Sequence, residues 1–210
     1  MNEYRVPYEN AESEFVEKRS RFISHIWPVE SEEQAQQYIK EMKARYYDAR
    51  HNCWCYRIGH AVARYSDDGE PQGTAGQPML KVLEREEVTN VCCVVTRYFG
   101  GILLGAGGLV RAYAKGAKLA VDAAGKSMKR VWTVLYVPCP YPFYERVKLE
   151  VGNYGGIVRQ TDFGAEVELE LLFPENQAQP FLDALTDLTA GSVEGMETGK
   201  EYRAFPLTAV

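Results

Sequence analysis

The segment EFVEKRSRFISHIWPV (residues 14–29) holds short β-compatible runs of apolar residues on either side of a charged turn near Lys18 to Arg21, which predicts two short strands. The period changes at Ser31. Ala35, Tyr38, Ile39, Met42 and Tyr46 recur at helical spacing, and Ser31 with Gln34 reads as a capping box, so a helix is expected to about Tyr47. NCWCYRIG and AVARYS return to strand patterning and are expected to pair antiparallel across Gly59 and His60. Thr74 is placed to cap a short helix through about Glu87, with Pro78 tolerated only near its first turn. VTNVCCVVTRYF is apolar and β-branched almost throughout, as a central strand is. A helix follows from about Gly108 to Ala124 and stops before Gly125.

A boundary is expected at 125–140, where a basic cluster leads into Pro138, Pro140 and Pro142. Beyond it the pattern reads strand 131–137, helix 144–153, strand 157–161, strand 165–173, helix 175–188 and strand 193–203. That order, βαββαβ, is ferredoxin-like. The strand AEVELELLF alternates acidic and apolar residues, so one of its faces is wet and negative. The chain therefore divides into an N-terminal domain, 13–130, and a C-terminal domain, 138–205.

Composition adds three constraints. The 210 residues can bury an adequate core, and no apolar run approaches the ~20 residues a membrane-spanning helix needs. The acidic, polar start is unlike a secretory signal, and five cysteines cannot all pair, so a reducing cytoplasm is expected. The net charge of −5 is uneven: residues 1–137 carry 19 basic and 17 acidic side chains, residues 138–210 carry 5 and 12. His51, Cys53 and Cys55 have a spacing that can ligate zinc, but no second ligand pair follows, and on a strand they share one buried face. No metal and no cofactor is expected.

Two segments carry candidate chemistry. In RYFGGILLGAGGLVRAYAKGA (97–117), five glycines precede a helix N-terminus, where unpaired N–H groups and the positive end of the dipole make a ready anion site. The same glycines would serve equally for tight packing against a sheet, because the spacing is neither a Walker nor a dinucleotide pattern. At 100° per residue Arg111, Lys115, Lys118 and Asp122 fall within about 60° of one another, opposite Leu109, Tyr113, Gly116, Ala117, Ala120 and Ala124. The glycine bend and this positive ridge are expected to form one open pocket for an anion. Arg97, Tyr98, Gly100, Gly101, Gly107, Gly108, Arg111 and Lys115 are the residues expected to contact nucleic acid, with Tyr98 and Phe99 available to stack on bases. In SDDGEPQGTAGQPML (66–80), Asp67, Asp68 and Glu70 can hold Mg²⁺, act as an acid–base pair, or simply bond nearby N–H groups and arginines.

These two segments resemble the YigZ/Impact family. SDDGEPQGTAGQPML matches that family's SDDGEP-x-GTAG-x-P, VTRYFGGILLGAGGLVRAY matches V-x-RYFGG-x-x-LG-x-GGL-x-RAY, and HNCWCYRIG is similar to a third segment, with Cys55 at a position usually alanine. The match covers about residues 13–121, and weaker motifs from Pro138 onward resemble the C-terminal domain of bacterial members. The resemblance implies an α+β, two-domain protein. Its N-terminal part would be a two-layer α/β domain similar to elongation factor G domain IV and a ribosomal-protein superfold, and its C-terminal part a ferredoxin-like domain similar to domain V. It implies no established catalysis. Eukaryotic relatives are implicated in translational control, through a pathway in which a starvation-activated kinase modifies an initiation factor. They carry an additional N-terminal domain for partner binding that this chain does not have, so the resemblance does not imply that particular role.

The expected function is that of a translation-associated regulator that binds RNA or the ribosome through the glycine-rich, basic surface without catalysis. One alternative is a phosphotransferase or hydrolase using the acidic loop. Another is an adaptor that meets a protein partner through the acidic C-terminal domain.

Overall fold

In the computed structural model, which describes residues 3–206, the chain forms two compact units, Tyr4–Lys129 and Arg130–Arg203. The first contains β1 (Tyr4–Pro7), β2 (Ala11–Glu17), β3 (Ser20–Pro28), α1 (Glu32–Arg45), β4 (His51–Ile58), β5 (Val62–Ser66), α2 (Gly76–Arg85), β6 (Val91–Tyr98) and α3 (Ala106–Ala124). Strand β7 (Lys126–Cys139) leads into the second unit, with α4 (Tyr144–Asn153), β8 (Ile157–Phe163), β9 (Val167–Pro174), α5 (Glu175–Thr189) and β10 (Met196–Pro206). The break expected at 125–140 is thus one continuous strand. Its start at Lys126 is earlier than the apolar pattern suggested, because Lys126 to Lys129 pair with β1, a strand the pattern did not reveal.

The first unit is built on an antiparallel sheet in the order β2-β3-β6-β4-β5, with β6 central as its composition implies. Helices α2 and α3 bury Met79, Leu83, Tyr113, Ala117 and Ala120 against Phe22, Ile26, Cys55, Cys93 and Val95 on one face. Helix α1 covers the other face, where Ala35, Ile39 and Met42 meet Trp27, Tyr56 and Val94. Alternation along β6 sorts Cys93, Val95 and Arg97 onto the α3 face and Cys92 and Val94 onto the α1 face. Ser31 caps α1 with its Oγ accepting from the Gln34 N–H at 3.3 Å, and the Gln34 side chain returns the bond to the Glu30 N–H at 2.7 Å.

The second unit has the strand order β10-β7-β9-β8, antiparallel at β7–β9 and β8–β9, which is the ferredoxin-like order. Leu135, Val137, Leu169, Leu171 and Phe173 pack beneath Val147, Val151, Phe181 and Leu185 of α4 and α5. Along β9 the residues between these apolar positions include Glu168 and Glu170, and Asp162 lies directly across from Glu168. The acidic alternation read from AEVELELLF is this exposed register. The protein is therefore a two-domain α+β fold, and no described helix is long and apolar enough to cross a membrane.

Candidate functional site

The acidic loop after β5 is organised by its first two carboxylates. Asp67 accepts three backbone N–H groups, from Gly73 (2.8 Å), Ala75 (3.0 Å) and Gly76 (2.9 Å), and so caps α2 from outside the helix. Thr74, expected as the cap, instead turns its hydroxyl to the Pro71 carbonyl at 2.6 Å. A charged acceptor that satisfies three donors at once outcompetes a hydroxyl that satisfies one. Asp68 accepts the Asn52 N–H (2.7 Å) and Lys43 Nζ (2.6 Å). Asp67 is thus committed to the loop and the start of α2, and Asp68 to β4 and α1.

Glu70 has a different environment. Its side chain is only 3% exposed, and Oε1 accepts from Arg97 Nη1 at 2.7 Å and from the Tyr113 hydroxyl at 2.8 Å. Burial foremost, with the Cys53 thiol and Glu70 carboxylate beside it, pushes the Tyr113 phenol up, so it stays protonated and donates. Arg97 therefore does not project to solvent as a phosphate contact. It is buried, its charge is met by Glu70, and its Nη2 donates to Ser20 Oγ at 3.3 Å. The guanidinium carbon lies 5.6 Å from the Phe22 ring centre and 5.5 Å from that of Phe99. The reason lies in the register: Arg97 is on the α3 face of the sheet, where only a buried partner can stabilise it.

His51, at the start of β4, donates from Nδ1 to the Asp68 carbonyl at 2.8 Å, which leaves Nε2 directed toward Glu70 Oε1 at 3.9 Å. Cys53 and Cys55 continue its row into the core. Burial pushes both thiols up, and Cys53 Sγ donates to the Asp67 carbonyl. Neither is available as a thiolate ligand.

The glycine segment has two structural tasks. A Cβ on Gly100 would sit 2.0 Å from the Arg19 carbonyl group, so this residue is glycine because the β2–β3 turn packs directly on it. Gly105 is the N-cap of α3 with φ of 73° and open space around it. The helix begins at Ala106, a half-turn earlier than the pattern indicated, and no side chain caps it. The N–H groups of its first turn consequently have no helical acceptor.

Two hollows adjoin this helix end. One, of about 420 Å³, is lined by the polar Arg50, His51, Glu70 and Arg97, by the apolar Phe99, Leu103, Leu104 and Leu109, and by Gly105 and Ala106. The other, of about 220 Å³, is lined by Glu17, Lys18, Leu104, Gly108, Arg111 and Lys115. The single pocket expected from the sequence is thus divided. Leu104 is the divider: it folds onto the first turn of α3, its Cβ 3.0 Å from where a Gly108 Cβ would be. The acidic loop and the glycine bend nonetheless meet, because Gly69, Glu70, Gly105 and Ala106 line the same hollow.

The residues expected to bind nucleic acid are distributed unevenly over this surface. Arg111 is exposed and reaches back over Gly107, Nη1 lying 3.5 Å from the position of a Cβ there. Lys115 is exposed with Nζ 4.5 Å from the Phe15 ring centre. Lys118, counted in the positive ridge, is neutralised by Asp122 and by Glu86 at 3.5 Å. Tyr98 is half-buried and its hydroxyl donates to Asp48 at 2.7 Å, whereas Phe99 is 42% exposed. Gly101 and Gly107 are open to solvent. Arg50 and Lys18, which the sequence reading did not single out, join Arg111 as exposed cations without a carboxylate partner among the described residues. Tyr113 was also missed, and His51 was weighed only as a zinc ligand. A tyrosine on an otherwise small-residue helix face, with a hydroxyl that must be satisfied when buried, was the available signal for Tyr113.

Comparison with known proteins follows the same division. The Impact N-terminal domain matches residues 18–121, and the domain of unknown function DUF1949 matches residues 137–192. The IMPACT family member YvyE of Bacillus subtilis (strain 168) is 36% identical over 204 residues, covering 96% of this chain and 94% of its own. YigZ of Escherichia coli (strain K12) is 35% identical, covering 84% of this chain and 89% of its own. A protein IMPACT homolog of Dictyostelium discoideum is 38% identical over 95 residues, 42% of this chain and 27% of its own length. A solved structure described as the crystal structure of an hypothetical protein is similar over 95% of this chain and 98% of its own, at 32% identity and a TM-score of 0.61. With its two characteristic segments folded around one helix end and its similarity extending through both units, the chain belongs to the IMPACT family.

Proposed function

We propose that the first unit binds RNA backbone, on the ribosome or elsewhere, through the surface at the N-terminus of α3, and that the protein acts as a translation-associated regulator in the cytoplasm. The observation that carries this reading is the meeting of an uncapped helix end with Lys18, Arg50, Arg111 and Lys115 around two adjoining hollows. Cations without internal partners lose no stabilising ion pair when a phosphate displaces their counterions. The exposed Phe99 offers a face on which a base can stack. The interface is local, since the chain as a whole is acidic at −5.

The test is binding of a single-stranded RNA oligonucleotide over a salt series. Affinity is expected to fall steeply with salt, and Arg111→Glu to weaken binding of unrelated sequences alike and to lower the salt slope by about 1. Lys118→Ala, which removes an already neutralised cation, leaves affinity unchanged. Salt-insensitive binding, or equal effects of the two substitutions, contradicts the reading.

A second reading concerns the second unit. Like charges directly across a sheet destabilise it, and Asp162 faces Glu168 across β8–β9 in a hollow shared with Tyr136, whereas the neighbouring Glu170 is paired with Arg159 at 2.9 Å. This favours a basic protein partner for that face. The catalytic alternative would rest on Glu70 alone of the three loop carboxylates.

A further inference from the structure

The larger hollow of the first unit has a chemistry that backbone binding does not use. Its polar end presents acceptors. With Nδ1 committed to the Asp68 carbonyl, His51 keeps Nε2 3.9 Å from Glu70 Oε1, and because that oxygen already accepts from Arg97 and Tyr113, Glu70 has Oε2 to offer a ligand. An imidazole nitrogen and a carboxylate oxygen lining one space are complementary to a pair of neighbouring hydroxyl groups, each of which can donate or accept.

The rim offers the opposite. Among the described residues, Arg50 and the first N–H groups of α3 are donors without acceptors, and they complement an oxyanion. Beneath it, Arg97 keeps its Nε buried without an acceptor among the described residues, on a side chain only 7% exposed, so donor capacity there is also unfilled. The remaining wall, Phe99 with Leu103, Leu104 and Leu109, is apolar and includes one exposed aromatic ring. An oxyanion, neighbouring hydroxyls and a flat ring, together within about 420 Å³, describe one chemical class.

We propose that this hollow binds a ribonucleoside monophosphate group, with its phosphate at Arg50 and the first turn of α3, its sugar hydroxyls on His51 and Glu70, and its base against Phe99. The group is either a free nucleotide or one residue of an RNA chain. The inference deepens the RNA reading and rests on it for the class of ligand. It adds discrimination of ribose from deoxyribose, which backbone contacts alone do not supply.

The test is amide and histidine-ring NMR of the full-length protein titrated with adenosine 5′-monophosphate, its 2′-deoxy analogue and inorganic phosphate. The ribonucleotide is expected to shift the amides of Ala106 and Gly107 and the ring of His51. The deoxy analogue binds roughly tenfold more weakly, for one lost hydrogen bond. Inorganic phosphate moves the amides and leaves the ring in place. His51→Phe removes the ribose preference and His51→Asn retains part of it, with the amide spectrum reporting that each variant is folded. Displacement of the nucleotide by an RNA oligonucleotide identifies the RNA chain as the source, and lack of displacement identifies the free nucleotide. Absence of shifts at Ala106, Gly107 and His51 with millimolar ribonucleotide overturns the proposal, even if salt-dependent RNA binding through Arg111 persists. RNA binding that fails while the nucleotide shifts remain would remove the surface reading and leave the pocket standing.

Discussion

Arg97 and Glu70 form an ion pair at 2.7 Å in which neither side chain is more than 7% exposed. They come from the end of β6 and from the loop before α2, so the pair ties the acidic segment to the central strand beside the helix end. Tyr113 of α3 donates to the same Glu70 oxygen and draws the third element into one knot.

Removing either partner leaves the other charge buried and uncompensated. Glu70→Ala and Arg97→Ala are each expected to cost about 3–5 kcal/mol in urea unfolding. The double substitution Glu70→Leu with Arg97→Met should be far less destabilised than the sum of the two alanine variants. Additive losses would show that the two charges do not interact.

The glycine segment separates packing from conformation. Gly100→Ala drives a Cβ to 2.0 Å from the Arg19 backbone and should destabilise the first unit strongly, by more than about 3 kcal/mol. Gly101 has φ of 83° but nothing within 4 Å, so Gly101→Ala should cost only about 1 kcal/mol. Thermal unfolding of the two variants side by side distinguishes them, and similar losses would contradict the assigned close approach.

Alkaline pH should act through the core thiols. Burial raises the Cys93 thiol from 9.0 to about 12, and the same cause raises Cys55 and Cys92. The folded chain then holds these protons more tightly than the unfolded chain. Their contribution is therefore complete below about pH 9 and is lost as pH rises toward 12, at about 1.4 kcal/mol per pH unit for each thiol. Urea midpoints measured at pH 8 and pH 10.5 should fall. A midpoint that rises over that interval would contradict the burial of these groups.

Much of the architecture was legible in local patterning. The apolar run around Cys92 and Cys93 marks a strand covered on both faces, and the βαββαβ order of the second unit follows from alternating periods of two and 3.6 residues. Strand β1 escaped notice because YRVP is short, and it is held by pairing with residues more than a hundred positions away. Thr74 was read as a cap because capping rules look three or four residues ahead, whereas Asp67 reaches α2 from the far side of a loop.

At the candidate site, residue types and positions along the chain were available from the sequence: glycines before a helix, cations on its exposed face, carboxylates in a turn. Which of them remain free was decided by tertiary structure. Lys118 is cancelled by Glu86 from a neighbouring helix, Arg97 by Glu70 from a loop 27 residues away, and Asp67 and Asp68 by backbone and lysine donors. Arg111, Lys18 and Arg50 are left outward-facing. Local periodicity determines which face a side chain occupies, because backbone geometry fixes it within a few residues. Whether a charge is satisfied depends on partners distant in sequence, and only the folded chain brings those into range.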